Sequence, residues 1–213
     1  MTHQGAFIVF EGGEGAGKST QERLLAEHLL AQGCHVQRSR EPGGTLAAER
    51  IREILLDPAS AGLDPRAEAL LFAAARGDHV AQVIRPALQA GAIVICDRYL
   101  DSSVAYQGYG RQMDPNRIRE LSLWATAGLT ADLTIILDID PRQGLARVAN
   151  PDRLEAEPLE YHDRVRNGFL AIAAAQPERY VVIDATQPPQ VVADQIALRV
   201  DQLLAVVRTT SAD

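Results

Sequence analysis

A glycine-rich stretch close to the N-terminus constrains the fold more than any other feature of this sequence. It fits the pattern G-x-x-x-x-G-K-[ST], with the required residues at Gly12, Gly17, Lys18 and Ser19. An apolar run before the glycines predicts a buried strand, and the residues after Lys18 repeat apolar side chains with the period of a helix. This order of strand, loop and helix is the context in which such a loop, the P-loop, binds phosphate groups.

The chemistry of the P-loop follows from its residue types. Glycine lets the backbone curl so that successive N–H groups point at one anion, and the N-terminus of the next helix adds partial positive charge. Lys18 can reach the β and γ phosphate oxygens, and the hydroxyl of Ser19 suits Mg²⁺. A glycine-rich turn before an ordinary helix is the alternative, and it leaves Lys18 unexplained. We therefore predict a nucleoside triphosphate site at Gly12, Gly13, Glu14, Gly15, Ala16, Gly17, Lys18, Ser19 and Thr20.

The composition is that of an ordinary globular protein. The 213 residues are 46% hydrophobic and 23% charged, which suits one domain over residues 1–213. A formal net charge of −7 disfavours nucleic acid polymers and anionic membranes as partners, so local arginines have to hold any anionic substrate. The two cysteines are too few for a disulfide framework, and we find no signal peptide, transit segment or membrane-spanning run. We expect a cytoplasmic location.

Five short segments predict strands, and helical segments alternate with them. Several are almost continuously apolar, as strands covered on both faces are. The alternation predicts an α/β fold with a doubly wound, five-stranded parallel sheet flanked by helices. Ligands of such sheets bind at the carboxyl ends of the strands. The predicted strands are 6–11, 35–40, 92–97, 132–138 and 179–184.

The predicted third strand ends in Asp97 and is followed directly by Arg98. In P-loop proteins an aspartate at this place holds Mg²⁺, directly or through water, whereas the alternative is an aspartate that simply ends a strand. We predict that Ser19 and Asp97 are the metal ligands and that Arg98 faces a second phosphate. Hydroxyl and amide side chains follow, and three of them share one face of a short helix, which suits a small polar ligand: Ser103, Tyr106 and Gln107.

The segment Asp64 to Ala90 predicts a helix that Pro86 kinks or interrupts near its end. Phe72 and Arg76 are four residues apart and lie opposite the predicted core face, so they could stack on a flat ligand and bond its edge. The alternative is that a second layer, such as a subunit partner, covers this side. The predicted core stripe is Ala67, Leu70, Leu71, Ala74, Ala81, Ile84 and Leu88.

The turn from Arg40 to Thr45, with the sequence REPGGT, follows the predicted second strand. Its Pro-Gly-Gly core can bring backbone close to a ligand at the sheet edge, although a plain loop is the alternative. The next predicted helix, Leu46 to Leu56, carries Arg52, which is either solvated or binds a phosphate with two hydrogen bonds.

Taken together, these motifs resemble those of the bacterial thymidylate kinases, a family of P-loop nucleoside monophosphate kinases. The resemblance covers nearly the whole chain. It includes the P-loop, REPGGT, the run Leu71 to Arg76 (LFAAAR), Asp97-Arg98-Tyr99 and the run Ser102 to Gly108 (SSVAYQG), all in the family's order and spacing.

The resemblance implies transfer of the γ-phosphoryl group of ATP to dTMP, with Mg²⁺ as cofactor, by a homodimer. It implies that Phe72 stacks on thymine, that Arg76, Ser103 and Gln107 read the base, and that Arg52 and Arg98 hold the dTMP phosphate. Glu11 would lie near the transferred group, and Thr186 and Gln187 near adenine. The implied acceptor residues are Glu41, Arg52, Phe72, Arg76, Arg98, Ser102, Ser103, Tyr106 and Gln107.

The resemblance also implies a lid, here residues 142–158. The family supplies a catalytic arginine from the P-loop or from the lid, and Gly13 and Glu14 of this P-loop are not basic. We predict that Arg153 reaches the transferred phosphoryl group, with Arg147 as the second candidate. The catalytic set is then Lys18, Arg98, Arg153 and Glu11.

Other readings of the sequence stay open. A kinase acting on dUMP, dCMP or a nucleoside would share the P-loop, whereas a GTP-binding switch should carry an N-K-x-D motif, which this sequence lacks. The helices within 64–90 and 114–127 correspond to those through which the family forms dimers. Leu121, Leu123 and Trp124 could serve a dimer interface or the core of one subunit.

Overall fold

The computed structural model describes the backbone of residues 5–210 and the side chains of residues 5–205. Residues 1–4 and 211–213 of the predicted domain lie outside this part. Five parallel strands form one sheet in the order β2-β3-β1-β4-β5. The strands are β1 (Ala6–Gly12), β2 (Val36–Arg40), β3 (Ile93–Asp97), β4 (Leu133–Asp138) and β5 (Tyr180–Asp184). All five predicted strands and the predicted fold class are confirmed.

Helices connect the strands and cover both faces of the sheet. They are α1 (Lys18–Ala31), α2 (Leu46–Leu56), α3 (Pro65–His79), α4 (Arg85–Gln89), α5 (Leu100–Ser103), α6 (Pro115–Ala125), α7 (Pro141–Leu145), α8 (Leu159–Ala175) and α9 (Pro189–Thr210). Two wider π-helical stretches, Val80–Ile84 and Val104–Gly110, join α3 to α4 and extend α5. A single 3₁₀ turn, Pro58–Ser60, follows α2.

The central strand β1 shows why the sheet is doubly wound. Its side chains alternate between two apolar cores, and none of its seven residues is exposed. Ile8 and Phe10 pack with residues of α1 and α9, whereas Phe7 and Val9 pack with residues of α5, α8 and both π-helical stretches. A strand with period-2 side chains can be apolar throughout only if both faces of the sheet are covered.

Side chains cap several helices and fix where they begin. The carboxylate of Asp64 accepts hydrogen bonds from the first turn of α3, and Asp114 does the same for α6, with proline at the next position. The hydroxyl of Thr45 caps α2 by accepting from the N–H of Ala48. The two helix starts predicted from Asp-Pro pairs are therefore confirmed.

The core stripe predicted for the segment 64–90 is wrong in its first half. Leu70, Ala74 and Ala81 are exposed, whereas Ala69 and Ala73 are buried. The buried face of α3 also carries charged side chains, so an apolar stripe could not mark it, and the π-helical stretch then shifts the helical phase. That stretch ends just before Pro86, so the predicted interruption is confirmed.

Within the described part of the chain, no helix combines the length and the apolar character that a membrane crossing requires.

Candidate functional site

The P-loop joins β1 to α1 at the carboxyl edge of the sheet. Gly17 precedes α1 in the left-handed conformation, with φ of 88°. A Cβ atom on Gly15 would lie only 2.1 Å from the carbonyl oxygen of Gly144, so a larger residue would collide with backbone. The loop therefore lies at the positive end of the α1 dipole, a place in the fold that favours a bound phosphate.

Lys18 lies folded over this loop. Its Nζ donates to the carbonyl oxygens of Gly12, at 3.2 Å, and Gly13, at 2.9 Å. Burial lowers the pKa of Lys18, and the positive charge of Arg98 acts in the same direction. An ammonium group held by two carbonyl oxygens can exchange them for the stronger charge-assisted hydrogen bonds of a phosphate.

Ser19 and Asp97, the predicted metal ligands, face each other across the end of the sheet. The Ser19 hydroxyl donates to Oδ2 of Asp97 at 3.5 Å, and Oδ1 of Asp97 is buried without a hydrogen-bond partner. A carboxylate oxygen left without a partner beside a hydroxyl suits Mg²⁺, which prefers oxygen ligands and usually keeps several waters or phosphates. Among the described residues no group of three or more His, Cys, Asp or Glu side chains could hold a metal. Such an ion would therefore also need ligands from a nucleotide.

Arg98 connects the P-loop to a neighbouring cavity. Its backbone adopts the left-handed conformation, with φ of 67°, an uncommon geometry for a residue with a side chain. The guanidinium donates to the carbonyl oxygen of Gly12 at 3.1 Å and to Glu14 at 2.8 Å, and it lies 4.9 Å from the centre of the Tyr106 ring. Burial disfavours the charge, but Glu14, Tyr106, Asp97 and Glu11 together outweigh burial and hold the pKa of Arg98 well above its usual value.

Glu11 lies behind Arg98 and is completely buried. Its carboxylate accepts from the N–H groups of Tyr99, at 2.9 Å, and Ser102, at 3.0 Å, which fixes the start of α5. Burial, together with the nearby carboxylate of Asp101, raises the pKa of Glu11 to about 8. Glu11 does not line the cavity, so it positions the backbone around Arg98 and does not face a ligand there.

The cavity itself has a volume of about 130 Å³ and lies between the P-loop, α2, α3 and the second π-helical stretch. All predicted acceptor residues except Arg76 line it. The walls also contain residues that the sequence did not single out. The full lining is Glu14, Glu41, Pro42, Arg52, Leu56, Phe72, Arg98, Ser102, Ser103, Tyr106, Gln107, Asp152, Leu154 and Glu155.

Arg76 lies behind the cavity wall, with 2% of its surface exposed. Its guanidinium donates to Glu41 at 2.7 Å, to Ser122 at 3.0 Å and to Ser103 at 3.1 Å. In this geometry Arg76 holds two of the lining side chains, Glu41 and Ser103. The predicted contact of Arg76 with a ligand edge is therefore not formed by the cavity as it stands.

The lid segment, residues 142–158, brings one of its two candidate arginines to the P-loop. Arg147 donates to the carbonyl oxygen of Gly15 at 2.9 Å. Arg153 instead points under the cavity, where it donates to the carbonyl oxygen of Leu55 at 2.8 Å and pairs with Glu68 at 2.7 Å. In this geometry Arg147 is the lid arginine nearer the P-loop, because Arg153 pairs with a buried carboxylate on α3 that its position in the sequence did not reveal.

The predicted adenine-binding residues follow β5 at the same edge of the sheet. The hydroxyl of Thr186 donates to Asp184 at 2.6 Å, and Gln187 accepts from Gln195 on α9 at 3.1 Å. The side chain of Gln21, in the first turn of α1, donates to the carbonyl oxygen of Pro189. This contact ties the loop after β5 to the helix that carries the P-loop lysine.

Comparison with known proteins gives consistent matches. A family model described as thymidylate kinase matches residues 10–196. The thymidylate kinase of Leifsonia xyli subsp. xyli is 54% identical over 201 residues, covering 92% of this chain and 95% of that protein. The thymidylate kinase of Cutibacterium acnes is 48% identical over 200 residues, covering 94% and 98%. A crystal structure of thymidylate kinase from Ehrlichia chaffeensis superposes with a TM-score of 0.76 at 37% identity, covering 93% of this chain and 98% of that one.

Proposed function

The chain belongs to the thymidylate kinase family, nucleoside monophosphate kinases that use ATP to phosphorylate dTMP to dTDP, and we propose how its residues divide this reaction. The observation that carries the proposal is the position of Arg98, whose guanidinium contacts both the P-loop carbonyl of Gly12 and the cavity. A phosphate bound by Arg98 would therefore lie next to the phosphates bound by the P-loop. Phosphoryl transfer mainly requires that the two phosphates are held in line and that the negative charge of the transition state is neutralised.

On the donor side, the amides of residues 12–20 and Lys18 bind the ATP phosphates. Lys18 leaves the carbonyl oxygens of Gly12 and Gly13 for the β and γ oxygens. Ser19 and Asp97 hold Mg²⁺, and the unpartnered Oδ1 of Asp97 supports this assignment. An ion held there would supply positive charge to offset the negative charge of the phosphates. Thr186 and Gln187 lie beside adenine.

On the acceptor side, Arg98 and Arg52 bind the dTMP phosphate. Both line the cavity, and Arg52 is oriented by donating to the carbonyl oxygen of Pro42 at 3.0 Å. Phe72, Ser103 and Gln107 form the base site, while Glu41 and Tyr106 lie near the sugar. Arg76 acts through Glu41 and Ser103, which it holds in place. No general base is needed, because a phosphate dianion is already a nucleophile.

From the lid, Arg147 is the arginine that approaches the transferred phosphoryl group. Its hydrogen bond to Gly15 supports this role, since the same guanidinium can turn from the loop carbonyl to a γ-phosphate. Arg153 holds the lid against α3 through Glu68. Glu11 positions the start of α5 behind Arg98.

A coupled assay of ADP release against a panel of monophosphates tests the function. We expect dTMP to be clearly the best acceptor among dTMP, dUMP and dCMP. Faster turnover of dUMP or dCMP would contradict the proposed substrate, and ADP release that no acceptor stimulates would contradict a kinase of this class.

We also propose that the protein forms a homodimer through α3 and α6. Leu70 and Trp124 are 57% and 83% exposed in a single chain. Exposed apolar surface of this kind can mark an interface with another protein chain. Leu121 and Leu123, by contrast, pack against the core of their own subunit. Light scattering should give twice the chain mass for the wild type and the chain mass for Trp124→Glu. A monomeric wild type at micromolar concentration would contradict the dimer.

The predicted domain of residues 1–213 and the cytoplasmic location stay predictions.

A further inference from the structure

A buried carboxylate on α3, Glu68, lies directly behind the base site. It is fully buried and has three side-chain partners. Arg153 of the lid pairs with its Oε2 at 2.7 Å, and Arg111 donates to both of its oxygens, at 3.2 and 3.1 Å. The third partner is Gln107, whose Nε2 donates to Oε1 of Glu68 at 2.9 Å. Glu68 is not part of the motifs named above and does not line the cavity.

The two arginines keep Glu68 ionised. Burial alone would raise its pKa, but the hydrogen bonds from Arg111 and Gln107 and the positive charge of Arg111 outweigh burial, so the pKa of Glu68 lies below its usual value. An ionised carboxylate can accept hydrogen bonds but cannot donate them. Only the NH₂ end of the Gln107 amide can therefore face Glu68.

This fixes the orientation of the Gln107 side chain. An amide has a donor end and an acceptor end that are almost the same in shape, and only its partners decide which way it turns. Because Nε2 is turned to Glu68, the carbonyl oxygen Oε1 is the end that remains for the cavity that Gln107 lines. The base site therefore contains a hydrogen-bond acceptor at this point.

We propose that Glu68 is a specificity-determining residue that acts through Gln107, by holding its amide so that the acceptor site selects a base with an N–H donor at ring position 3. The inference rests on the proposed function. Thymine carries a hydrogen at N3, whereas N3 of cytosine is an acceptor and would face the carbonyl oxygen of Gln107. A site that fixes a hydrogen-bond acceptor rejects a ligand that brings a second acceptor, because both are then buried without a partner.

The substitution Glu68→Gln tests this role. A glutamine at 68 can pair with Gln107 in either orientation, so the amide is no longer fixed. We expect the ratio of kcat/KM for dTMP to that for dCMP to fall at least about tenfold, the size of one lost hydrogen bond. The KM for ATP should change less than about twofold, since Glu68 has no contact with the P-loop. A folded variant that keeps the wild-type ratio would overturn the proposal.

A double-mutant cycle tests whether the effect passes through Gln107. Gln107→Met removes the amide at similar volume, so adding Glu68→Gln to it should leave the dTMP to dCMP ratio unchanged within about twofold. If Glu68→Gln lowers the ratio as much in the Gln107→Met background as in the wild type, Glu68 does not act through this amide and the proposal fails.

A measurement on the wild type keeps the proposal testable if Glu68→Gln does not fold. The monophosphate of 3-deazathymidine has C–H in place of N3–H and is otherwise close in shape to dTMP. We expect its kcat/KM to be at least about tenfold below that of dTMP. Equal values would overturn the orientation of Gln107 and leave the kinase function standing. Failure of the wild type to phosphorylate dTMP would instead overturn the proposed function itself, and the inference with it.

Discussion

The donor and acceptor regions of the site adjoin at Arg98 but are built in different ways. The proposed donor region is built mainly from consecutive residues, 12–20, at the start of one helix. The proposed acceptor region consists of side chains from α2, α3, α5, the second π-helical stretch, the lid, the turn after β2 and Arg98 after β3. Backbone amides bind a negative charge at a fixed position, whereas a set of side chains can also recognise the shape and the hydrogen-bonding groups of a base. The same kind of loop can therefore serve many enzymes, and on our proposal the cavity supplies the selectivity of this one.

The two regions also differ in how their charges are balanced. In the donor region Lys18 donates hydrogen bonds to two carbonyl oxygens and forms no close ion pair with a described carboxylate. Two arginines on the acceptor side are already paired with carboxylates: Arg98 with Glu14 of the P-loop and Arg76 with Glu41. Removing a donor-side group should therefore cost mainly catalysis. Removing an acceptor-side group should alter substrate recognition or stability, according to what it pairs with.

The largest expected effect is that of Lys18→Ala. Its ammonium group is the side-chain cation of the P-loop, so we expect kcat to fall by about 10³-fold, the upper range for removing one group that stabilises transition-state charge. The ADP-release assay at saturating dTMP measures it. Arg23→Ala on the exposed face of the same helix is the matched control and should stay within about twofold. A loss under about tenfold for Lys18→Ala would remove the distinction between the two regions.

Arg147→Ala and Arg153→Ala sharpen the comparison within the lid. We expect Arg147→Ala to lower kcat by about 10²-fold with little change in the KM for dTMP, because its guanidinium lies at the P-loop. Arg153→Ala should instead lower the free energy of unfolding by about 3 kcal/mol, since it leaves Glu68 with one buried partner fewer. Urea denaturation and steady-state kinetics on both variants separate the two roles. A greater loss of kcat in Arg153→Ala would restore the order predicted from the sequence.

A smaller effect is expected for Arg98→Lys. Lysine keeps the charge but loses the planar fork that contacts Gly12 and Glu14 together, so we expect kcat/KM for dTMP to fall by about 20-fold. The KM for ATP should change less than about twofold, because the P-loop keeps its own contacts. Equal losses for both substrates would mean that Arg98 belongs to the donor region.

The last prediction concerns stability instead of catalysis: a pH dependence of the free energy of unfolding that originates at Glu11. Its pKa is about 8 in the folded protein and 4.5 without the surrounding structure, so between these values the folded state holds a proton that the unfolded chain releases. The free energy of unfolding should therefore decrease as pH rises from about 5 to about 8, by on the order of 1 kcal/mol per pH unit from this group. Glu11→Gln keeps the shape and should remove this component. Identical pH profiles of the two proteins by urea denaturation would contradict the shifted pKa.

The sequence predicted the donor region well because its information is local. The P-loop pattern places Gly12, Lys18 and Ser19 by spacing alone, and the apolar runs gave all five strands. Most acceptor residues were predicted through the resemblance, and Glu41, Phe72 and Gln107 do line one cavity.

What the sequence could not predict depends on pairs of charges that are far apart in the chain. Arg76 is buried because Glu41, 35 positions away, neutralises it, and Arg153 turns away from the P-loop because Glu68 lies behind the cavity. From sequence alone, a charged residue on a helix is predicted to face solvent, because its buried partner is not known. For the same reason the core face of α3 was predicted wrongly: its buried side carries the charged or polar residues Glu68, Arg76 and His79.

Glu14 of the P-loop forms an ion pair with Arg98, so its carboxylate would compete with an acceptor phosphate for the guanidinium of Arg98. The carboxylate already lies 2.8 Å from the guanidinium, so the cost of removing water from Arg98 has been met before any substrate arrives. If Arg98 binds the acceptor phosphate as we propose, the affinity for that phosphate is the difference between two ion pairs, not the full strength of one. The same exchange runs in reverse when the product leaves, because Glu14 stands ready to replace the departing phosphate. On this proposal, the ion pair lowers the affinity for the acceptor and eases the release of the product.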